Sequence, residues 1–206
     1  MIPDGWRDER EALRDRLCPP GSEGAIVAFQ GERGAYGHLA IEALWGRRAW
    51  LRPCATVADV VAALERGDAG HAVLPVHNEI IGEIPGVRAA IEAAGLTVLG
   101  HVRQVVRHAL LGHREAVLAD VTDVFSHPAA LAQCRAFLAR HARMTPRPWH
   151  DTAGAAHDVA RRARRHEAAI ADAGCAGRYG LQLLAAHVGD REDNATWFAV
   201  VQRGRP

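Results

Sequence analysis

At 206 residues, with about half of them apolar and a quarter charged, the chain can bury one sizeable core or two small lobes and is too apolar for disorder. A formal net charge of +1 gives no field to draw it onto nucleic acid or an anionic membrane, and no apolar run approaches the ~20 residues of a membrane helix. Cys18, Cys54, Cys134 and Cys175 are too far apart for a zinc ribbon or redox pair, and the N-terminus has no basic region followed by an apolar stretch, so a reduced, cytoplasmic protein without a signal peptide is expected.

Residues 4–17 read as a short charged helix carrying Trp6, Leu13 and Leu17, broken by Pro19, Pro20 and Gly21. This extension, residues 1–23, is expected to dock on the body or on a partner subunit. Strands and helices then alternate. Residues 25–29 form an apolar run between Gly24 and Gly31 that suits a buried strand, followed by a helix from about Gly37 to Trp45 and a strand at 50–53. Thr56 and Asp59 have capping-box spacing, and Val57, Val60, Val61 and Leu64 form one apolar stripe on the helix they open. A strand at 72–76 and a helix over 85–94 follow. Further strands are expected at 96–105, 121–125, 144–148, 167–171 and 195–201, with helices at 128–140, 152–164 and 174–180. Such alternation predicts an α/β protein with parallel-rich sheets.

The turn Gln30–Gly37 is spaced G-x-x-G-x-x-G, neither a dinucleotide fingerprint nor a Walker loop, yet it lets backbone N–H groups at a helix start approach an anion. His71, His77 and Glu79 lack a third histidine at helical spacing, so no metal and no cofactor are expected. The basic run Arg161–His166 reads as the solvated face of a helix rather than a nucleic-acid site.

Taken in order, five segments become specific. Val27–Ala40 resembles the opening strand, G-P-x-G-(S/T)-(Y/F)-S turn and helix of prephenate dehydratases. Ala72–Gly82 resembles the family's V-V-P-I-E-N-S-x-x-G, Phe125–Cys134 its Y-S-H-P-Q-x-x-x-Q-C, Asp151–Ala156 its S-T-x-A-A, and Asn194–Phe198 its N-x-T-R-F; Tyr179-Gly-Leu is also typical. The resemblance implies a two-lobed fold like that of type II periplasmic binding proteins, with the active site in the interlobe cleft. Residues 24–100 and 183–206 would form the first lobe and 101–182 the second. No ACT domain and no complete chorismate mutase domain are expected within the chain.

The reaction implied is decarboxylative dehydration of prephenate, or of a relative such as arogenate. The ring carboxylate leaves as CO2 and the ring hydroxyl as water. Carried over by position, Thr196 would serve the leaving hydroxyl, with Ser126 and His77 as further catalytic residues. Asn78, Gln133, Thr152, Gly34, Ala35, Glu79, Trp197 and Phe198 would bind the small-molecule substrate. The chain departs from the family at His77 for Glu, Glu79 for Ser, Trp197 for Arg, Gly37 and Asp151 for Ser, and Asp172 for another Ser. Asp151, Glu79 and Asp172 add negative charge to a site for an anion. His77 brings a group able to act as an acid near neutrality. Such changes also suit a non-aromatising prephenate decarboxylase of specialised metabolism, or a binding module without turnover. Related domains associate, so a homodimer is expected.

Overall fold

The computed structural model describes residues 6–21 and 23–204. In chain order the elements are α1 (Arg10–Leu17), β1 (Ala25–Gln30), α2 (Tyr36–Trp45), β2 (Ala49–Cys54), α3 (Val57–Glu65), β3 (His71–Asn78), β4 (Gly82–Glu83), α4 (Val87–Ala93), β5 (Leu96–Val105), β6 (Ala109–Gly112), β7 (Asp123–Ser126), α5 (Pro128–Ala132), α6 (Arg135–Arg140), β8 (Thr145–Pro148), α7 (Thr152–Arg162), β9 (Glu167–Ala171), α8 (Gly174–Tyr179), β10 (Gln182–Ala185) and β11 (Ala195–Arg203). They divide into two compact units. One holds the described part of Met1–Gly31, Tyr36–Val105 and the described part of Asn194–Pro206; the other holds Glu32–Ala35 and Val106–Asp193. The boundaries differ from those expected because β5 pairs along its whole length with β11, whereas β10 pairs with β6.

In the first unit the strand order is β2-β1-β3-β11-β5, with β4 added to β3. Val60 and Leu64 of α3, Leu74 and Val76 of β3, Val87 and Ile91 of α4, and Trp197, Ala199 and Val201 of β11 share one core on one side of this sheet. Helix α3 begins at the expected capping box, Thr56 Oγ1 accepting from Asp59 N and the Asp59 carboxylate from Thr56 N. Helix α1 packs on α2 and β5 with Leu13 buried. It starts at Arg10 rather than residue 4, and Trp6 lies ahead of it; residues 4 and 5 are outside the described set.

The second sheet runs β10-β6-β9-β7-β8, with β9 fully buried at its centre. Neither sheet is parallel-rich: β11 runs antiparallel to both β3 and β5, and β6 antiparallel to both β9 and β10. The expected helix over 128–140 is two helices, α5 and α6, and β4, β6 and β10 are additional strands. The helix breaks where the Gln133 carbonyl takes Asp190 N–H at 2.7 Å and Asp190 Oδ1 takes Ala136 N–H at 3.0 Å. Among the described residues no helix is long and apolar enough to cross a membrane.

Candidate active site

In the first unit, β11 and β3 pair antiparallel, with Thr196 opposite Asn78 and Trp197 opposite His77, then Phe198 opposite Pro75. Val76 is therefore an extra residue on β3. The bulge shifts the side-chain alternation by one, so Asn78 meets Thr196 across the strand pair. Asn78 Nδ2 donates to Thr196 Oγ1 at 2.9 Å, to Asn194 Oδ1 at 2.9 Å and to the Ala195 carbonyl at 3.1 Å. Its Oδ1 accepts from the backbone N–H groups of Ile80 and Ile81. Asn78 is 4% exposed and Thr196 9%. Because the Thr196 oxygen accepts, its own proton is available for donation, and the accepted bond makes that O–H a better donor.

Strand alternation sends Trp197 to the opposite face from Thr196. There the departures at 77, 79 and 197 form one packed group. Trp197 Nε1 donates to Glu79 Oε1 at 2.9 Å, and Arg103 grips both oxygens of Glu79 at 2.7 and 2.6 Å. Trp6 stacks on His101 at 4.2 Å between ring centroids, meets His77 edge-on and lies 5.9 Å from the Trp197 ring. Glu9 fixes this segment by donating its N–H to the His101 carbonyl and accepting from His101 N–H. Burial lowers the His77 pKa, and its Nε2 is buried without a hydrogen-bond partner. An imidazole held neutral in this way is not the charged acid expected from its residue type. Phe198 is buried on the Thr196 face, where its ring would lie 3.5 Å from a Cβ placed on Gly37. That is an ordinary van der Waals distance, so the Phe198 ring packs directly over position 37 with room for a Cβ.

In the second unit, Ser126 ends β7, Gln133 follows α5 and Thr152 begins α7. Ser126 is fully buried and its hydroxyl donates to the Ile170 carbonyl at 2.6 Å. It is not the helix cap; His127 is, its ring nitrogen accepting from Ala129 N. Gln133 Oε1 lies 2.8 Å from His108 Nε2. Gly34 has φ of +99°, and a Cβ there would stand 2.7 Å from Cys175 Sγ, so only glycine fits. The turn is further held by the Cys175 thiol on the Gly34 carbonyl and by the Tyr179 hydroxyl on the Arg33 carbonyl; Ala35 is buried beside it. Burial pushes the Cys134 and Cys175 thiols up to about 12, which removes both as nucleophiles near neutrality.

The added acids are occupied locally. Asp151 caps α7 through Gly154 N, Asp172 Oδ1 accepts from Gly174 N, and Glu79 is held by Arg103 and Trp197. Residue identity did not single out Trp6, His101, Arg103 or His108; their partners lie 24 to 191 positions away, and no spacing rule connects them. Among the described residues no cluster of three or more histidine, cysteine or acidic side chains is arranged to hold a metal.

A family model described as prephenate dehydratase matches residues 27–206. The chain belongs to this family. A bifunctional N-acyl-homoserine lactone acylase/prephenate dehydratase of Komagataeibacter europaeus is 37% identical over 179 residues, covering 86% of this chain and 63% of that protein. The bifunctional chorismate mutase/prephenate dehydratase of Escherichia coli strain K12 is 29% identical, covering 98% of this chain and 53% of its own length. Among solved structures, the prephenate dehydratase of Arthrobacter aurescens in complex with L-Phe superposes with a TM-score of 0.77 at 26% identity, over 88% of this chain and 61% of that one. The chain thus spans between half and two thirds of these family relatives.

Proposed function

We propose that this chain catalyses the decarboxylative dehydration of prephenate to phenylpyruvate, as a lyase of aromatic amino acid biosynthesis. The observation that carries the reading is the Asn78–Thr196 bond, which holds the threonine oxygen as acceptor and leaves its proton to be given away. As the C–C bond to the ring carboxylate breaks, its electrons enter the ring and CO2 departs. The ring hydroxyl takes hydrogen-bond donation, then a proton, and leaves as water. Asn78 fixes the donor, and Gln133 supplies an amide to a substrate carboxylate or carbonyl. Ser126, Thr152, Gly34 and Ala35 hold the backbone that presents these groups, and His77, Glu79, Trp197 and Phe198 support β3 and β11 from within the core.

The missing arginine is not an obstacle on this reading. Position 197 faces Glu79 on the side of the sheet away from Thr196, so its side chain would not reach the leaving group. The decarboxylase alternative needs an acid to protonate a ring carbon. His77 is kept neutral by burial, while Asp151, Asp172 and Glu79 have local partners. An acylase activity, named for the Komagataeibacter relative, would need an activated nucleophile, and the Ser126 hydroxyl is buried on a backbone carbonyl.

The test is to incubate the pure protein with prephenate, and separately arogenate, and to follow products by proton NMR and ultraviolet absorbance. Phenylpyruvate that disappears in Thr196→Val and persists in Thr196→Ser is the expected result. A decarboxylated product that keeps its hydroxyl would overturn the dehydratase reading, and binding without turnover would leave only a ligand-binding role. We also propose a homodimer; sedimentation as a monomer at micromolar concentration would refute it.

A further inference from the structure

We propose that His108 is a positioning residue that fixes which end of the Gln133 amide faces the substrate. The inference rests on the dehydratase reading for Gln133 and deepens it.

An amide group rotates freely between two orientations of nearly equal shape, one presenting oxygen and the other NH2 to a given neighbour. Only a partner of fixed polarity makes that choice. His108 stands on the segment entering β6, 5% exposed, with its Nε2 2.8 Å from Gln133 Oε1. It is anchored there, since its carbonyl accepts from Val188 N at 2.9 Å. Gln133 is anchored independently by Asp190 N on its carbonyl at 2.7 Å. Gly189 lies between these two anchors, where an added Cβ would come within 3.8 Å of His108 Cδ2 and 4.0 Å of the Gln133 carbonyl oxygen. One short loop thus ties down both partners.

Burial lowers the His108 pKa, so the ring is neutral near pH 7 and carries one N–H. With that proton on Nε2, the imidazole donates to Oε1 and turns the Gln133 NH2 away from itself as a donor. The Nδ1–H tautomer would make Nε2 an acceptor, draw the NH2 toward the ring and turn Oε1 outward. An anionic substrate requires the first arrangement. His108 also lines a cavity of about 180 Å³, together with Arg107, His187, Arg191 and Glu192.

Two measurements decide it. Long-range ¹H–¹⁵N spectra of the imidazoles should show His108 as the neutral Nε2–H tautomer in the parent protein, with that signature lost in Gln133→Leu. An Nδ1–H or protonated ring near pH 7 overturns the proposal. In turnover, His108→Leu should lower kcat/KM about tenfold, as expected for one oriented hydrogen bond. His108→Gln, whose amide nitrogen reaches the same point, should recover to within about threefold of the parent. In a Gln133→Leu background, His108→Leu should cost little more. Unchanged kcat/KM in His108→Leu, equal loss in the Leu and Gln variants at matched Tm, or additive losses would each refute it. If the parent protein turns over neither prephenate nor arogenate, the dehydratase reading fails separately. The positioning role is then decided by the tautomer: dependence on Gln133 supports it, independence overturns it.

Discussion

Asn78→Asp replaces one NH2 by an oxygen at a point where three acceptors converge. In the parent protein the amide satisfies Thr196 Oγ1, Asn194 Oδ1 and the Ala195 carbonyl while its oxygen holds Ile80 and Ile81 N–H. The substitution keeps the last two contacts and leaves the three acceptors facing a carboxylate. Two donated hydrogens are lost at about 0.5–1.5 kcal/mol each, and buried acceptors are left unpaired, so stability should fall by about 2–4 kcal/mol at neutral pH. For a protein of this size that is a Tm decrease of roughly 5–15 °C. Thr196 can relieve the clash by donating its own proton to the introduced carboxylate, and it then has none to offer a leaving hydroxyl. Turnover should fall at least about 100-fold, the scale of losing one acid–base group. Burial among acceptors raises the introduced carboxyl's pKa above its unfolded value. Its favourable contribution is therefore present at low pH and lost as pH rises through the folded pKa. The protonated form donates as the amide did, so both Tm and residual kcat should improve from pH 8 toward pH 5.5 relative to the parent. Parent-like kcat at pH 8, or a variant that improves as pH rises, would refute the role assigned to the Asn78–Thr196 bond.

Trp197→Arg, which restores the family residue, should cost about 2–4 kcal/mol, because it empties an indole site and buries a second cation at a carboxylate already held by Arg103; adding Arg103→Met should return part of the Tm, and parent-like stability of the single variant would count against this account. Gly34→Ala should lose about 1–3 kcal/mol through a positive φ and a Cβ driven into Cys175, and an unchanged urea midpoint would refute the contact. Burial lowers the pKa of His71, His77, His101, His108 and His127. The folded state therefore binds fewer protons than the unfolded chain below about pH 6.5, and stability should fall as pH drops from 7.5 to 5, with the lowered Glu115 and Asp123 carboxyls acting in the same direction; a urea midpoint that rises over this range would contradict it.

Most strands and helices were legible because their signals are local. Thr56 and Asp59 are three residues apart, and β9 is a short apolar run between polar turns. The shared motifs placed Asn78, Ser126, Gln133, Thr152 and Thr196 within recognisable segments for the same reason. Other features depend on partners far along the chain. The α5–α6 break has no glycine or proline signal, because Asp190 imposes it from 54 or more positions away. Strands β6 and β10 are four residues each and too short for a period to stand out. The bulge at Val76 decides that Asn78 meets Thr196, yet the apolar run containing it reads as an uninterrupted strand. Ser126 was expected to face the substrate; its burial against Ile170 depends on β9, a strand 41 positions further on.

The cluster around Glu79 limits how this chain can change. Positions 79 and 197 are coupled through contact: with Trp197 and Arg103 both bonded to Glu79, an arginine at 197 would meet a carboxylate already taken, while a serine at 79 would take away the carboxylate that accepts from the indole N–H. A change at 79 or 197 alone therefore disturbs the bonds made by the other, and Trp6, packed over His77 and near Trp197, joins the N-terminal segment to that constraint.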